Sequence, residues 1–480
     1  MPARNRPTSG TGSYKWIVLS VTTVGAFMTP LDGSIVGIAL PSIASSLHID
    51  FASLIWVPTA YLLFLTVLLL SFGRLSDIIG RKPLFVSGFT IFTIASALCG
   101  LSQNGTQLII FRALQGASAA LIGATSPAIV TDAFPSNERG KALGINAMGV
   151  YVGLSAGPPL GGLLVQTLGW RSIFYINVPI GIVVVTLSLA KLRESAISQH
   201  ESFDLRGATT FSIGLATLLL ALTPSGEYGW ASPTILSLFV ISGVSLALFV
   251  LIEKMAGEAA MFNLSLFTRN RLFAAANISA LLNYMSYFGL GFFMAFYLQR
   301  VLGYSPAQAG LMMLPMPITM AALSPISGWL SDRLGSRLLS SAGMGVVFIG
   351  LFLLSTLSLS SSPLDVLARL FIVGLGMGLF SSPNTSAVMG SVDKTRLGVA
   401  SGTLATMRFM GQSLSLAVMS AVAATVVSPR LLSELFIGIA IQSNSVSAGA
   451  FVEGMRRAFT VSGFIAAAGV LTSLVRGKGR

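Results

Sequence analysis

Residues 73–83 read GRLSDIIGRKP, and residues 328–338 read GWLSDRLGSRL. Gly73, Asp77 and Gly80 of the first stretch align with Gly328, Asp332 and Gly335 of the second, at an offset of 255 residues. Each stretch is short, polar and set between long apolar runs. A charged turn that recurs at the matching place in two series of apolar segments is the trace of an internal duplication. In each turn the spaced glycines permit a tight reversal. An acid such as Asp77 or Asp332 near the amino end of a neighbouring helix would latch two helices together.

The runs on either side settle the medium. Crossing the ~30 Å hydrocarbon layer takes a helix of about 20 mainly apolar residues. Fourteen stretches meet that test, at 16–40, 53–73, 83–102, 106–130, 141–164, 172–190, 204–222, 232–253, 271–298, 306–329, 337–358, 363–388, 397–425 and 458–475. Of the 480 residues 53 % are hydrophobic and 9 % charged, against about 25 % charged in an ordinary soluble domain. A water-soluble architecture is excluded. The expected fold is an all-α polytopic membrane protein with 14 transmembrane helices. The first apolar stretch is too long for a signal peptide and lacks a small-residue cleavage site. The single Cys99 excludes a disulfide framework and a cysteine-rich metal site. No metal site is expected. His48 and His200 are the only histidines and lie far apart in the span map, which argues against a membrane enzyme. No phosphate-binding loop of the G-x-x-x-x-G-K-[ST] type is present, so nucleotide is not the energy source.

The net charge of +13 sorts along this map. With a cytoplasmic amino terminus, 21 of the 29 Lys and Arg fall in inside segments, in agreement with the positive-inside rule. Both termini are then cytoplasmic, which fourteen spans satisfy. The charge is a topology signal, and no nucleic-acid partner is expected. The chain divides into a six-helix bundle at 1–190, a linker with two inserted helices at 191–260, and a second six-helix bundle at 261–480. A long outer loop occupies 426–454, and its Ser-rich part IQSNSVSAGA is poor material for a membrane helix.

A few polar residues stand inside the spans. LDGSIVGIALP (31–41) carries Asp32, and RALQGASAA (112–120) carries Arg112 and Gln115. An embedded charge is costly and must face a partner or a cavity. GLSAGPPLGG (153–162) concentrates Gly153, Gly157, Pro158, Pro159, Gly161 and Gly162 in one span, the composition of a bent, close-packed helix contact.

These four motifs, in this order, resemble the signatures of the major facilitator superfamily in its fourteen-span drug:proton antiporter branch. GRLSDIIGRKP resembles the cytoplasmic loop signature, and LIIFRALQGASAA the span-four signature with its Arg. GLSAGPPLGG resembles the antiporter signature of span five, and LDGSIVGIALP the span-one signature. The chain departs from them at Ile78, Ser336 and Gly37, where Arg, a basic residue and Asn are common. The resemblance implies proton-coupled efflux of hydrophobic or amphipathic, including cationic, drugs and toxic compounds by alternating access. A dedicated lipid, fatty-acid or metabolite transporter of the same fold is the other reading.

It implies a monomer in the cell membrane, in contact with lipids and protons and driven by the proton gradient with no cofactor. Asp32 is expected to carry the proton, with Arg112 as its relay partner. Gly73, Asp77, Gly80, Arg81, Gly328, Asp332 and Arg333 are expected to govern the conformational change, with the span-five Gly and Pro residues. The substrate lining is expected among Phe27, Trp56, Tyr61, Gln115, Asn146, Tyr151, Asn283, Tyr284, Tyr287, Phe288, Phe292, Asn384, Met407 and Arg408. These are aromatic, soft, amide or cationic side chains suited to a broad, apolar ligand.

Overall fold

The computed structural model of the chain describes residues 12–135, 138–194, 204–223, 229–256, 262, 264–393, 397–427 and 445–476. The side chains of Asp77, Tyr151 and Asp332 lie outside the description, as does 428–444 of the expected outer loop. Every regular element described is a helix, as lipid demands, because no water is there to satisfy an open backbone. The first group is α1 (Gly12–Leu47), α2 (Phe51–Ile79), α3 (Arg81–Leu101), α4 (Gly105–Ala133), α5 (Arg139–Leu168), α6 (Ser172–Tyr175) and α7 (Asn177–Lys191). Next come α8 (Leu205–Leu222), α9 (Pro233–Ala256) and the short α10 (Leu264–Arg269). The last group is α11 (Arg271–Tyr287), α12 (Leu290–Phe296), α13 (Pro306–Met312), α14 (Pro315–Leu334), α15 (Ser336–Leu354), α16 (Pro363–Gly390), α17 (Leu397–Ala424) and α18 (Ser445–Leu474).

Among the described residues, thirteen segments are long and apolar enough to cross a membrane. The fourteenth expected span is α17, whose 28 residues reach about 42 Å at 1.5 Å each. Its Gly, Ser and Thr content and Arg408 make it less apolar. It packs against α2, α11 and α18, so much of its surface meets protein.

Caps fix where the helices begin. Asp50, Asn104, Asn270 and Ser362 each accept a backbone N–H of the following first turn. The two polar turns quoted above have one geometry. Gly80 (φ +111°) and Gly335 (φ +85°) each end one helix and begin the next. Positive φ suits Gly at both points, and the sequence echo is thus an echo of backbone shape.

Three expected spans are broken, 172–190 only briefly, at Ile176 between α6 and α7. The stretch 271–298 is α11 and α12, followed by a π turn at Tyr297–Val301. At the break, Gly289 N donates to Ser415 Oγ at 2.9 Å, so a side chain satisfies the freed backbone. The stretch 306–329 is α13 and α14, interrupted just before Pro315, whose ring disfavours continuation. The last span also differs from expectation. It begins at Ser445 instead of 458, so 445–454 form helix and not loop. Phe451 stacks on Phe293 at 6.2 Å and Met455 is fully buried, and this packing extends the helix through its Ser-rich start.

Packing repeats along the chain. In the first group α1–α5, α2–α4, α3–α4, α1–α4, α3–α7 and α1–α7 are in contact. In the last group the pairs α11–α17, α14–α16, α15–α16, α11–α16, α15–α18 and α11–α18 reproduce them one for one. The two sets meet through α2–α17, α5–α13 and α1–α12, while α8 and α9 pair with each other and α8 leans on α2 and α17. Phe249, Phe262, Phe267 and Phe273 follow in a chain of ring contacts that ties α9 through α10 to α11.

Gly80 and Gly335 mark one end of the bundle, here the motif end. Hydrogen bonds join the two sets at the other, far end. Gln299 Nε2 donates to Ile38 O at 2.9 Å, Arg300 Nη2 to Pro41 O at 2.8 Å and to Ser45 Oγ, and Ala307 N to Gln166 Oε1 at 3.3 Å. Phe51 and Phe292 face each other edge-on at 6.4 Å in the same region.

Candidate functional site

Five helices of the first group converge on one carboxylate. Asp32 of α1 and Arg112 of α4 form an ion pair at 2.5 Å, both with no solvent exposure. Gln115 lies one helical turn from Arg112 on the same face of α4. Its Nε2 donates to Asp32 Oδ1 at 2.8 Å and to Ser96 Oγ of α3 at 2.9 Å, and its Oε1 accepts from Arg112 Nη1 at 2.5 Å. Asn177, the first residue of α7, donates through Nδ2 to Asp32 Oδ1 at 2.9 Å. Arg112 Nε donates to Val57 O of α2 at 3.2 Å, and its guanidinium lies 4.2 Å from the Tyr61 ring centre and 5.9 Å from that of Phe174.

Close helix approach makes this possible. A Cβ on Gly116 would stand 2.1 Å from Tyr61 O. That glycine seats α4 directly on α2, within reach of the Val57 carbonyl and the Tyr61 ring. The energetics then follow. Two buried charges recover their desolvation cost only when their remaining hydrogen-bonding capacity is met. Asp32 receives one donor on Oδ2 and two on Oδ1. Deleting either charge would leave the other uncompensated, at about 3–5 kcal/mol. Loss of the negative charge on Asp32 would leave Arg112 without its counter-charge.

Of the expected residues, Asp32, Arg112, Gln115 and Tyr61 meet here. Asn177, Ser96 and Phe174 complete the site and were not anticipated. An Asn at the start of an apolar span was the available signal for Asn177, whereas Ser96 also bonds its own helix at Phe92 O and reads as an ordinary membrane serine.

The other expected lining residues lie elsewhere. Tyr284 and Tyr287 stand with ring centres 5.5 Å apart, and Arg408 lies 5.6 Å from the Tyr284 ring while donating to Thr385 Oγ1 at 2.9 Å. Asn283 is fully buried and donates to Met344 Sδ at 3.0 Å. Asn384 Oδ1 accepts from Arg476. Asn146 is buried on α5, and Phe27 is half-buried with its carbonyl against Gly153. Trp56 and Met407 share an apolar cluster with Leu63, Val67 and Phe211. Phe288 sits half-buried at the α11–α12 break, and Phe292 packs with Phe51, Phe293 and Phe296 near the far end.

The turn and span-five motifs occupy contacts between helices. Arg81 donates to Ala128 O at 3.2 Å and pairs with Asp132 near the end of α4. Asp132 is thus an acidic partner of this turn, absent from the sequence expectations. Gly73 has open space where a Cβ would stand, whereas a Cβ on Gly328 would meet Ser382 Oγ at 2.6 Å. Arg333 lies over the Trp329 ring at 4.1 Å. Gly153, Gly157 and Gly161 press α5 onto α1, with a Cβ on Gly153 reaching 2.3 Å from Phe27 O. Across the two sets, Gly162 abuts Pro306 O, and Gly310 abuts Pro158 O.

The sequence profile of the Major Facilitator Superfamily matches residues 22–416. The riboflavin transporter RibZ of Clostridioides difficile (strain 630) is 37 % identical over 407 residues, 85 % of this chain and 88 % of that protein. The multidrug resistance protein Stp of Mycobacterium tuberculosis (strain CDC 1551 / Oshkosh) is 35 % identical over 416 residues, 86 % of this chain and 77 % of that one. The multidrug transporter protein MdtP of Bacillus subtilis (strain 168) is also 35 % identical, over 86 % of this chain and 76 % of that one. Among solved structures, a bacterial homologue of the human lysosomal transporter Spinster, inward-facing and unoccupied, superposes with a TM-score of 0.70 at 16 % identity. That match covers 97 % of this chain and 98 % of the other. This multi-pass membrane protein, a secondary-active transporter of small molecules and not an enzyme, belongs to the major facilitator superfamily.

Proposed function

We propose that the chain is an antiporter of the fourteen-span drug:proton branch, exporting hydrophobic and amphipathic compounds, cations included, in exchange for protons. The observation that carries this reading is the fully buried Asp32, held by Arg112, Gln115 and Asn177 in the first set of helices. The multidrug relatives and the glycine-rich contact of α5 with α1 support it. The two sets of six helices act as the two rocking bodies of alternating access, with α8 and α9 as an insert beside them. The motif end faces the cytoplasm and the far end the outside, in keeping with the basic residues of the inside segments.

In the cycle, a compound enters from the cytosol or the inner leaflet while the far end is sealed by the Gln299, Arg300 and Gln166 hydrogen bonds. Opening outward breaks those bonds and releases the compound. A proton then binds Asp32, the Arg112 guanidinium loses its counter-charge, and α1 and α4 change their mutual preference. Return to the cytoplasmic side sends the proton inward and re-forms the ion pair. Tyr284, Tyr287 and Arg408 line the route from the second set. Drug-driven proton movement in proteoliposomes tests the cycle. An Asp32→Asn protein that still couples fully would overturn the role of Asp32.

A second reading has its own observation, the 37 % identity to a riboflavin transporter. A dedicated, neutral or anionic metabolite would then be the cargo. Undiminished affinity for such a compound in Asp32→Asn, without drug transport by the unmodified chain, would favour it.

A further inference from the structure

We propose that the groove between α11 and α18 at the motif end is a binding site for one anionic phospholipid of the adjoining leaflet. The groove has a volume of about 550 Å3, within the range of roughly 300–1,000 Å3 usual for small-ligand sites. Its walls are Ala274 and Ile278 of α11 with Leu471 of α18 and Val475 just past its end, and Thr268 of α10 closes one side. Arg271, the first residue of α11, is its single charged wall residue, and none of the lining residues is acidic. Ile278, Leu471 and Val475 are 40 %, 66 % and 50 % exposed, so the groove opens toward lipid.

The chemistry selects the occupant. The apolar strip runs along two membrane helices and suits an acyl tail. The cation at the helix start lies at headgroup depth. Arg271 has no acidic partner among the described residues, and neither does Arg269 beside it. The amino end of the 17-residue α11 adds positive potential at the same place. A phosphate with a net negative headgroup answers both, as basic pockets between membrane helices do for anionic lipids. A cationic drug is repelled by the same groups, so the groove is distinct from a cation route. It also adjoins α10, which lies between α9 and α11 in the chain.

The test uses the full-length, delipidated protein in detergent and native mass spectrometry with dioleoyl phosphatidylglycerol and dioleoyl phosphatidylcholine. Phosphatidylglycerol is expected to bind about fivefold more tightly, the effect of roughly one interfacial cation. Arg271→Gln removes that preference, and Arg271→Lys, which keeps the charge, retains it. Ala274→Trp fills the groove and weakens both lipids. Arg337→Gln removes an exposed cation at the motif end outside the groove and leaves the preference intact. The proposal is overturned by equal binding of the two lipids to the unmodified chain. It is also overturned if Arg271→Gln keeps the preference, if Arg337→Gln loses it equally, or if tetraphenylphosphonium displaces the bound lipid.

Discussion

At the residue scale, the site turns on how a membrane span treats a single charge. Asp32 and Arg112 are each too costly to stand alone in hydrocarbon, and their pairing explains why both persist. Replacing Asp32 by Asn keeps the shape and removes the charge. Arg112 then stays charged and buried beside a neutral amide. The expected outcome is loss of proton-coupled transport, with residual downhill exchange and a melting temperature below that of the unmodified protein. Acidification on drug addition, followed with a trapped pH dye, checks the first, and thermal denaturation in detergent the second. Asn177→Leu tests a different step. It removes one donor from Asp32 Oδ1 while leaving the ion pair. Lost hydrogen bonds to charged groups run to about 1.5–3 kcal/mol. Drug-driven proton movement is expected to fall severalfold while drug binding is kept. Full drug-driven proton movement in Asn177→Leu would deny Asn177 a part in coupling. Asp32, Arg112 and Gln115 were legible in the sequence because charges and large amides are scarce in the spans. Asn177 and Ser96 were not, since small polar side chains in a membrane helix ordinarily satisfy themselves on their own backbone, as Ser96 partly does.

At the scale of elements, the glycine seam brings α1 and α5 into direct backbone contact. Gly157 would place a Cβ within 1.8 Å of Ser34 Oγ and 3.0 Å of Ile35 N. Gly157→Val therefore forces the two helices apart at mid-span. It is expected to raise proton leak in the absence of drug by severalfold and to lower drug transport, while Gly144→Ala, in open space, does neither. Passive proton flux into liposomes distinguishes them. The carboxyl end of α18 presents another case. Arg476 is 2 % exposed and donates to the Asn384 carbonyl and to no carboxylate among the described residues. Burial pushes its guanidinium down to about 9. The unfolded chain holds that proton to higher pH than the folded one, so the cost of burying the charge is present below about pH 9 and relieved above it. Stability of the unmodified protein relative to Arg476→Met is expected to rise as the pH passes from 8 to 10, read as the difference in melting temperature. The helix starts at Phe51, Gly105 and Pro363 fall within two residues of the expected 53, 106 and 363, and the caps Asp50, Asn104 and Ser362 fix them. The breaks at Gly289 and before Pro315 were less legible, because hydropathy runs on unbroken while Ser415, distant in sequence, supplies the bond that makes the first break tolerable.

At the scale of the whole molecule, the duplication is complete in packing and incomplete in chemistry. Shifted by the 255 residues that relate the two turns, Asp32 falls on Tyr287, and Arg112 falls two residues from Arg369. Arg369 pairs instead with Asp365 of its own helix and with Leu353 O. Among the described residues the second set therefore keeps an Arg and lacks an embedded acid opposite it, so the buried Asp–Arg pair stands on one side of the pseudo-symmetric molecule. The sequence showed both turns and the offset, but not that the halves would seal at the far end, since two of the four sealing acceptors are the backbone carbonyls of Ile38 and Pro41. That seal makes a prediction about motion. Gln166 Oε1 accepts from Ala307 N across the boundary at 3.3 Å, and α5 and α13 must part there if the far end opens. With Cys99 replaced by Ser, cysteines at 166 and 307 are expected to join through a short, reducible thiol cross-linker. The joined protein should still bind drug from the motif end yet fail to move it, and reduction should restore transport. Full transport by the cross-linked protein would mean that this boundary stays closed throughout the cycle and that the compound leaves by another route.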